Sequence, residues 1–273
     1  MADWLFAAAG AFAHSSVLCC CEKGALMSLS RNTLLLVQTG TPPDEIVSDH
    51  GDLPLWFGNL LAPWRNKISV ARVYAGEPLP APDNNTVAVI TGSWDMVTER
   101  LPWSEMTAAW IREAMAIEMP LFGVCYGHQL MAHALGGEVD YHPAGREAGS
   151  KTISLSAHGL ADRLLADHPA PFSAHLTHMQ TVTRLPPGAT VLASSQHDPH
   201  QIVRYGAHAV STQFHPEITP AIARSLIAFR QSALRNEGID PDRLSRDVAE
   251  SPVASAILTR FVAGYLQPDL NLA

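Results

Sequence analysis

Pro120-Leu-Phe-Gly-Val-Cys125-Tyr-Gly-His-Gln129, in the middle of the chain, is the stretch from which the fold is read. It runs from a buried strand end, through a tight turn carrying one cysteine, into a helix start. Gly123-Val-Cys125-Tyr-Gly127 has the Gly-x-nucleophile-x-Gly spacing of a nucleophile elbow, with Cys in place of Ser. Small residues on both flanks permit the sharp bend, which leaves the thiol at the carboxyl end of a sheet. There the positive end of the helix dipole favours the thiolate. A buried structural cysteine between two packing glycines fits the same five residues, so the elbow alone leaves both readings open.

The flanking sequence sets the architecture. Thr33–Gln38, Ile68–Tyr74 and Thr86–Ile90 are apolar runs of the kind that form strands covered on both faces. Between and after them come a helix over Pro54–Leu61 and another over 104–118, with Ser104 as N-cap and an apolar stripe of Ala108, Ile111, Met115 and Met119. Strand and helix in this rhythm predict an α/β fold: a doubly wound, mostly parallel sheet flanked by helices. Ligands of such sheets bind outside the carboxyl ends of the strands, where Thr91-Gly92-Ser93 and Cys125 both fall. Downstream, His128–Leu135 is a helix closed by Gly136-Gly137. Short runs at Lys151–Leu155, Ala189–Ala193, Gln201–Arg204 and His208–Phe214 predict an antiparallel continuation of the sheet. The C-terminal part reads as helices over Ile218–Arg235, from Asp240, and from Ser251-Pro252, the last with Val253, Ile257, Phe261 and Tyr265 on one face.

Gln213-Phe-His215-Pro216-Glu217 adds a second piece of chemistry. Residues two apart on an extended segment share a side, and Pro216 keeps His215 extended, so His215 and Glu217 can meet. A carboxylate beside an imidazole fixes its tautomer and steadies the imidazolium, which suits nucleophile, base and orienter roles for Cys125, His215 and Glu217.

Together, Thr91-Gly92-Ser93, Gly123-Val-Cys-Tyr-Gly-His-Gln129 with Gly136-Gly137, and Gln213-Phe-His-Pro-Glu217 resemble the signature blocks of the class I (triad) glutamine amidotransferases. The resemblance spans roughly Leu34 to Arg230. Ile90-Thr-Gly-Ser93 followed by Leu101-Pro-Trp103 looks most like the stand-alone, GMP-synthase-like members, although Gln180 stands where Asp is usual. It implies a flavodoxin-like sheet, a catalytic triad of Cys125, His215 and Glu217, and an oxyanion hole from N–H groups near Gly92 and of Tyr126. It further implies substrate contacts from Gln129, Ser93 and His178, no cofactor and no metal. Arg146 is a candidate for the substrate α-carboxylate. The activity implied is release of ammonia from glutamine through a cysteine thioester, with an acceptor-using synthetase partner in trans. Two alternatives stay open: a stand-alone hydrolase of γ-glutamyl peptides or amines, and a non-catalytic binding module.

Composition bounds these readings. With 273 residues, 47% hydrophobic and 16% charged, the chain is that of a globular protein. A net charge of −8 without a compensating basic run argues against nucleic-acid binding, and no apolar run reaches membrane-spanning length, so no membrane partner is expected. Cys19, Cys20 and Cys21 are adjacent and make no disulfide framework, which points to a cytoplasmic location. His14 with these cysteines, His175-x-x-His178 and His197-x-x-His200 are the candidate metal spacings, the latter two in segments read as irregular. Residues 1–26 are expected to be disordered or untranslated, with Met27 as first residue; 27–235 form the amidotransferase domain, and 236–273 a helical extension packed on it.

Overall fold

The structure, a computed structural model, describes residues 31–269. The expectations for residues 1–26, including any role of Cys19, Cys20 and Cys21, lie outside the described residues. The chain runs β1 (Thr33–Gln38), α1 (Asp44–His50), α2 (Leu53–Leu60), β2 (Ile68–Arg72), β3 (Thr86–Ile90), α3 (Pro102–Ala116), β4 (Leu121–Val124) and α4 (Tyr126–Ala134). It continues through β5 (Glu138–Tyr141), β6 (Glu147–Leu155), α5 (Ala157–Ala161), β7 (Phe172–His178), β8 (Gln180–Arg184), β9 (Thr190–Ser194), β10 (Ile202–Arg204) and β11 (Ala209–Thr212). The last helices are α6 (Pro220–Phe229), α7 (Gln231–Asn236), α8 (Pro241–Arg246) and α9 (Pro252–Ala263).

Among the described residues the main sheet has the order β2-β1-β3-β4-β11-β10-β9-β6-β7, and β5 pairs with β8 in a separate ribbon. Pairings from β2 to β11 are parallel; those from β11 to β7 are antiparallel. The parallel half is apolar because each strand divides its side chains between two covered faces. Leu34, Leu36, Val87, Val89, Phe122 and Val124 face a core shared with α2, α6 and α9. Leu35, Val37, Ala88, Ile90 and Leu121 face a second core with α3 and α4. Helix α9 belongs to the first layer: Phe261 packs edge-on against Phe122, ring centres 5.2 Å apart.

Several element boundaries differ from expectation. Helix α3 starts at Pro102, not Ser104, because proline has a preset φ and lacks only an N–H that the first turn would leave unpaired. Ser104 caps nothing; it is buried and accepts a hydrogen bond from Tyr126 Oη at 2.7 Å. Strand β2 ends at Arg72, with Val73–Ala75 in a 3-10 turn. The stretch 218–235 holds two helices, broken at Arg230. Thr219 does cap α6, accepting from Ile222 N. His175 and His178, read as irregular, sit on strand β7.

Candidate active site

Strand β4 delivers Cys125 to the carboxyl edge of the sheet, and α4 begins one residue later. Cys125 holds φ 49° and ψ −96°, a conformation side-chain-bearing residues rarely adopt. Its N–H is fixed by Thr212 O of the adjacent β11 at 2.8 Å, and Gly127 N–H by Thr91 O at 3.1 Å. The glycines of the elbow are there for contact: a Cβ on Gly123 would lie 2.6 Å from Gly127 O, and one on Gly127 would lie 2.5 Å from Ile90 O. Strand, turn and helix approach so closely that no side chain fits between them.

The turn after β11 supplies the second group. His215 Nδ1 donates to Glu217 Oε1 at 2.7 Å. His215 N–H bonds His175 O at 3.0 Å, tying the turn to β7. Nε2 of His215 is buried and has no hydrogen-bond partner among the described residues. Burial opposes the imidazolium, but the Glu217 carboxylate and the charge of Cys125 outweigh it and push His215 up to about 10. Cys125 and His215 are both buried, each 7% exposed.

The loop after β3 closes a third side. A Cβ on Gly92 would stand 3.1 Å from His215 Cε1 and 3.6 Å from Cys125 Cβ. Thr39 Oγ1 donates to Thr91 O at 3.0 Å or Gly92 O at 2.8 Å, which anchors this loop to the one after β1. The N–H groups of Gly92 and Tyr126 make no backbone hydrogen bond among the described residues. Tyr126 opens α4, where the first N–H groups have no carbonyl within the helix. These two donors flank the thiol and can receive a negative oxygen.

The remaining candidates separate. Gln129 donates through Nε2 to Gln180 O at 2.7 Å and Gln213 Oε1 at 3.0 Å, which holds its amide one turn past Cys125. Ser93 Oγ accepts from Asp95 N at 3.1 Å within its own turn. His178 has both ring nitrogens engaged, Nε2 with Glu147 Oε2 at 2.9 Å and Nδ1 with Gln180 O at 2.9 Å, the carbonyl that Gln129 also uses. Glu147, fully enclosed, also accepts from Ser195 and Gln201. Burial pulls Glu147 upward, but His178 and Ser195 hold it below the usual carboxylate value. Arg146 is also engaged, since Glu237 takes its guanidinium with two bonds of 2.8 and 3.0 Å. No group of three metal-ligating side chains occurs among the described residues. Nor is any helix among them long and apolar enough to cross a membrane. Trp94, two residues past Gly92, and Arg230, whose guanidinium carbon lies 5.9 Å from the Trp94 ring centre, carried no motif and were not anticipated.

Compared with known proteins, residues 73–233 match the family model for glutamine amidotransferase class-I. The glutamine amidotransferase-like protein YfeJ of Salmonella typhimurium is 34% identical over 189 residues, 67% of this chain and 77% of that one. A glutamine-hydrolyzing GMP synthase of Thermomicrobium roseum is 31% identical over 192 residues, which is 61% of this chain and 34% of the synthase. The match thus spans about a third of that relative's length. Crystal structures of glutamine amidotransferases from Thermotoga maritima and Methylobacillus flagellatus share the fold at 22% identity, with TM-scores of 0.70 and 0.71. They cover 86% and 89% of this chain and 98% and 99% of their own. The chain belongs to the class-I glutamine amidotransferase family.

Proposed function

We propose that the protein hydrolyses the γ-amide of glutamine through a thioester on Cys125 and passes the ammonia to a synthetase partner in trans. The observation that carries this is the convergence of Cys125, the His215–Glu217 pair and two open N–H groups at one sheet edge. Cys125 thiolate adds to the γ-carbonyl carbon, and the oxygen takes the negative charge beside the N–H groups of Gly92 and Tyr126. The intermediate collapses as the C–N bond breaks, and His215 gives its Nε2 proton to the departing nitrogen. Neutral His215 then takes a proton from water; hydroxide adds to the thioester, the C–S bond breaks, and glutamate and thiolate are released. Glu217 holds Nδ1–H, so that Nε2 faces the thiol. Gln129 and Ser93 are the proposed contacts to the γ-glutamyl group.

A second reading, stand-alone hydrolysis of γ-glutamyl peptides or amines, uses the same chemistry with a larger leaving group. It is supported by the donors of Trp94 and Arg230, which have no acceptor among the described residues. Purified protein is assayed on glutamine, γ-glutamyl peptides and γ-glutamyl amines. Turnover of glutamine that rises when a partner-containing lysate is added supports the first reading. Fast turnover of peptides by the protein alone supports the second, and no turnover of any γ-glutamyl amide contradicts both.

A further inference from the structure

Two donor groups at the loop that carries Gly92 lack partners among the described residues. Arg230, at the break between α6 and α7, holds its guanidinium carbon 5.9 Å from the centre of the Trp94 ring. Its Nε and the Trp94 indole Nε1 are both buried, and neither meets an acceptor among the described residues. Both groups are donors only, so an acceptor has to come from outside the described residues. Trp94 follows Gly92-Ser93, and two peptide units span at most about 7 Å; Gly92 in turn packs on Cys125 and His215. The other arginine of this region, Arg146, is neutralised by Glu237, whereas Arg230 makes no ion pair among the described residues. Arg230 also lines a small apolar cavity with Leu226, Ile227 and His175, surroundings that strengthen its attraction for an anion. Burial and Arg146 disfavour its charge, while Cys125 and Glu237 favour it.

We infer that Trp94 and Arg230 form an anion subsite that selects γ-glutamyl substrates by a carboxylate, with Arg230 as the specificity-determining residue. The inference rests on the γ-glutamyl hydrolase reading above. The carboxylate is either the α-carboxylate of the γ-glutamyl group or that of an amino acid in the leaving group. A guanidinium fork and an indole N–H suit two oxygens of one planar group.

Two substrate pairs separate the sources. γ-Glutamylglycine against γ-glutamyl methylamide varies the leaving-group carboxylate, and glutamine against its α-amide varies the α-carboxylate. Wild-type protein is expected to favour the carboxylate-bearing member of one pair by about 10- to 100-fold in kcat/KM, as a charged hydrogen bond supplies. R230M collapses that ratio, R230K restores part of it, and W94F lowers it. Because each ratio is taken within one variant, partial misfolding cancels. Equal ratios in wild type and R230M for both pairs would overturn the subsite. Alkylation of Cys125 gives a readout that needs no turnover: iodoacetate relative to iodoacetamide is favoured in wild type and loses that advantage in R230M. If this shift appears while no γ-glutamyl amide is hydrolysed, the subsite stands and the hydrolase reading fails. If amides are hydrolysed and neither readout responds to R230M, the subsite fails alone.

Discussion

The imidazole of His215 is held by Glu217 through one short hydrogen bond, Nδ1 to Oε1 at 2.7 Å, in a turn where the carboxylate is almost fully enclosed. A carboxylate so placed acts on the ring more than on solvent, and it helps carry His215 to about 10. The imidazole therefore holds its proton at neutral pH, as the proposed delivery to a leaving nitrogen requires.

The alkaline limb of kcat/KM reports this proton in the free protein. It is expected near pH 10 in the wild type and ~1–3 units lower in E217Q, which removes a nearby opposite charge. The sign for stability is the same. The folded value lies above the ordinary 6.5, so the contribution is complete below 6.5 and disappears as pH rises through about 10. Activity against pH and melting temperature against pH for both proteins check this, and an unmoved limb in E217Q contradicts it.

Cys125 keeps its side chain at a positive φ of 49°. C125G, free of the Cβ, is expected to be more stable than C125A by about 1–3 kcal/mol, with both inactive. Urea denaturation of the two variants measures the difference. Equal stabilities would mean that the elbow stores no strain.

Gly92 leaves room for the imidazole. In G92A the new methyl would sit 3.1 Å from His215 Cε1 and displace the ring by a few tenths of an ångström. Turnover is expected to fall about tenfold or more, since misplacement near 1 Å costs about 10². The melting temperature should change little, because the contact at 3.1 Å is relieved by a small shift of one side chain. Steady-state kinetics with a thermal melt distinguish this from simple destabilisation.

The Glu147–His178 pair is structural, with both side chains 1% exposed. E147A leaves His178 buried beside its lost partner and is expected to cost about 3–5 kcal/mol. Glu147 titrates below its usual 4.5, so its contribution is present above 4.5 and fades as pH falls through the lower folded value. Chemical denaturation of E147A and wild type between pH 3 and pH 7 tests both parts.

What the sequence disclosed follows from which forces are local. The parallel strands were legible because Leu34–Val37, Val87–Ile90 and Leu121–Val124 are buried on both faces and therefore apolar without interruption. The elbow and His215-Pro-Glu217 were legible because each lies within a few consecutive residues. Strand β7 was legible too, since apolar Phe172, Ala174 and Leu176 alternate with polar Ser173, His175 and Thr177, a period-2 signal that the reading of the segment as irregular passed over. The engagement of His178 by Glu147 joins residues 31 apart, and that of Arg146 by Glu237 joins residues 91 apart; neither pairing is marked by spacing. Arg230 came to the site only through the break between α6 and α7, where no Gly or Pro gives warning.

The central claim is that Cys125 carries the γ-glutamyl group. Rapid acid quench of the protein during turnover of glutamine or a γ-glutamyl peptide, followed by peptide mass spectrometry, reads this directly. The account predicts a γ-glutamyl adduct on the Cys125 peptide, with adduct and amide hydrolysis both absent in C125A. Full hydrolysis by C125A, or an adduct on a different residue, would contradict it.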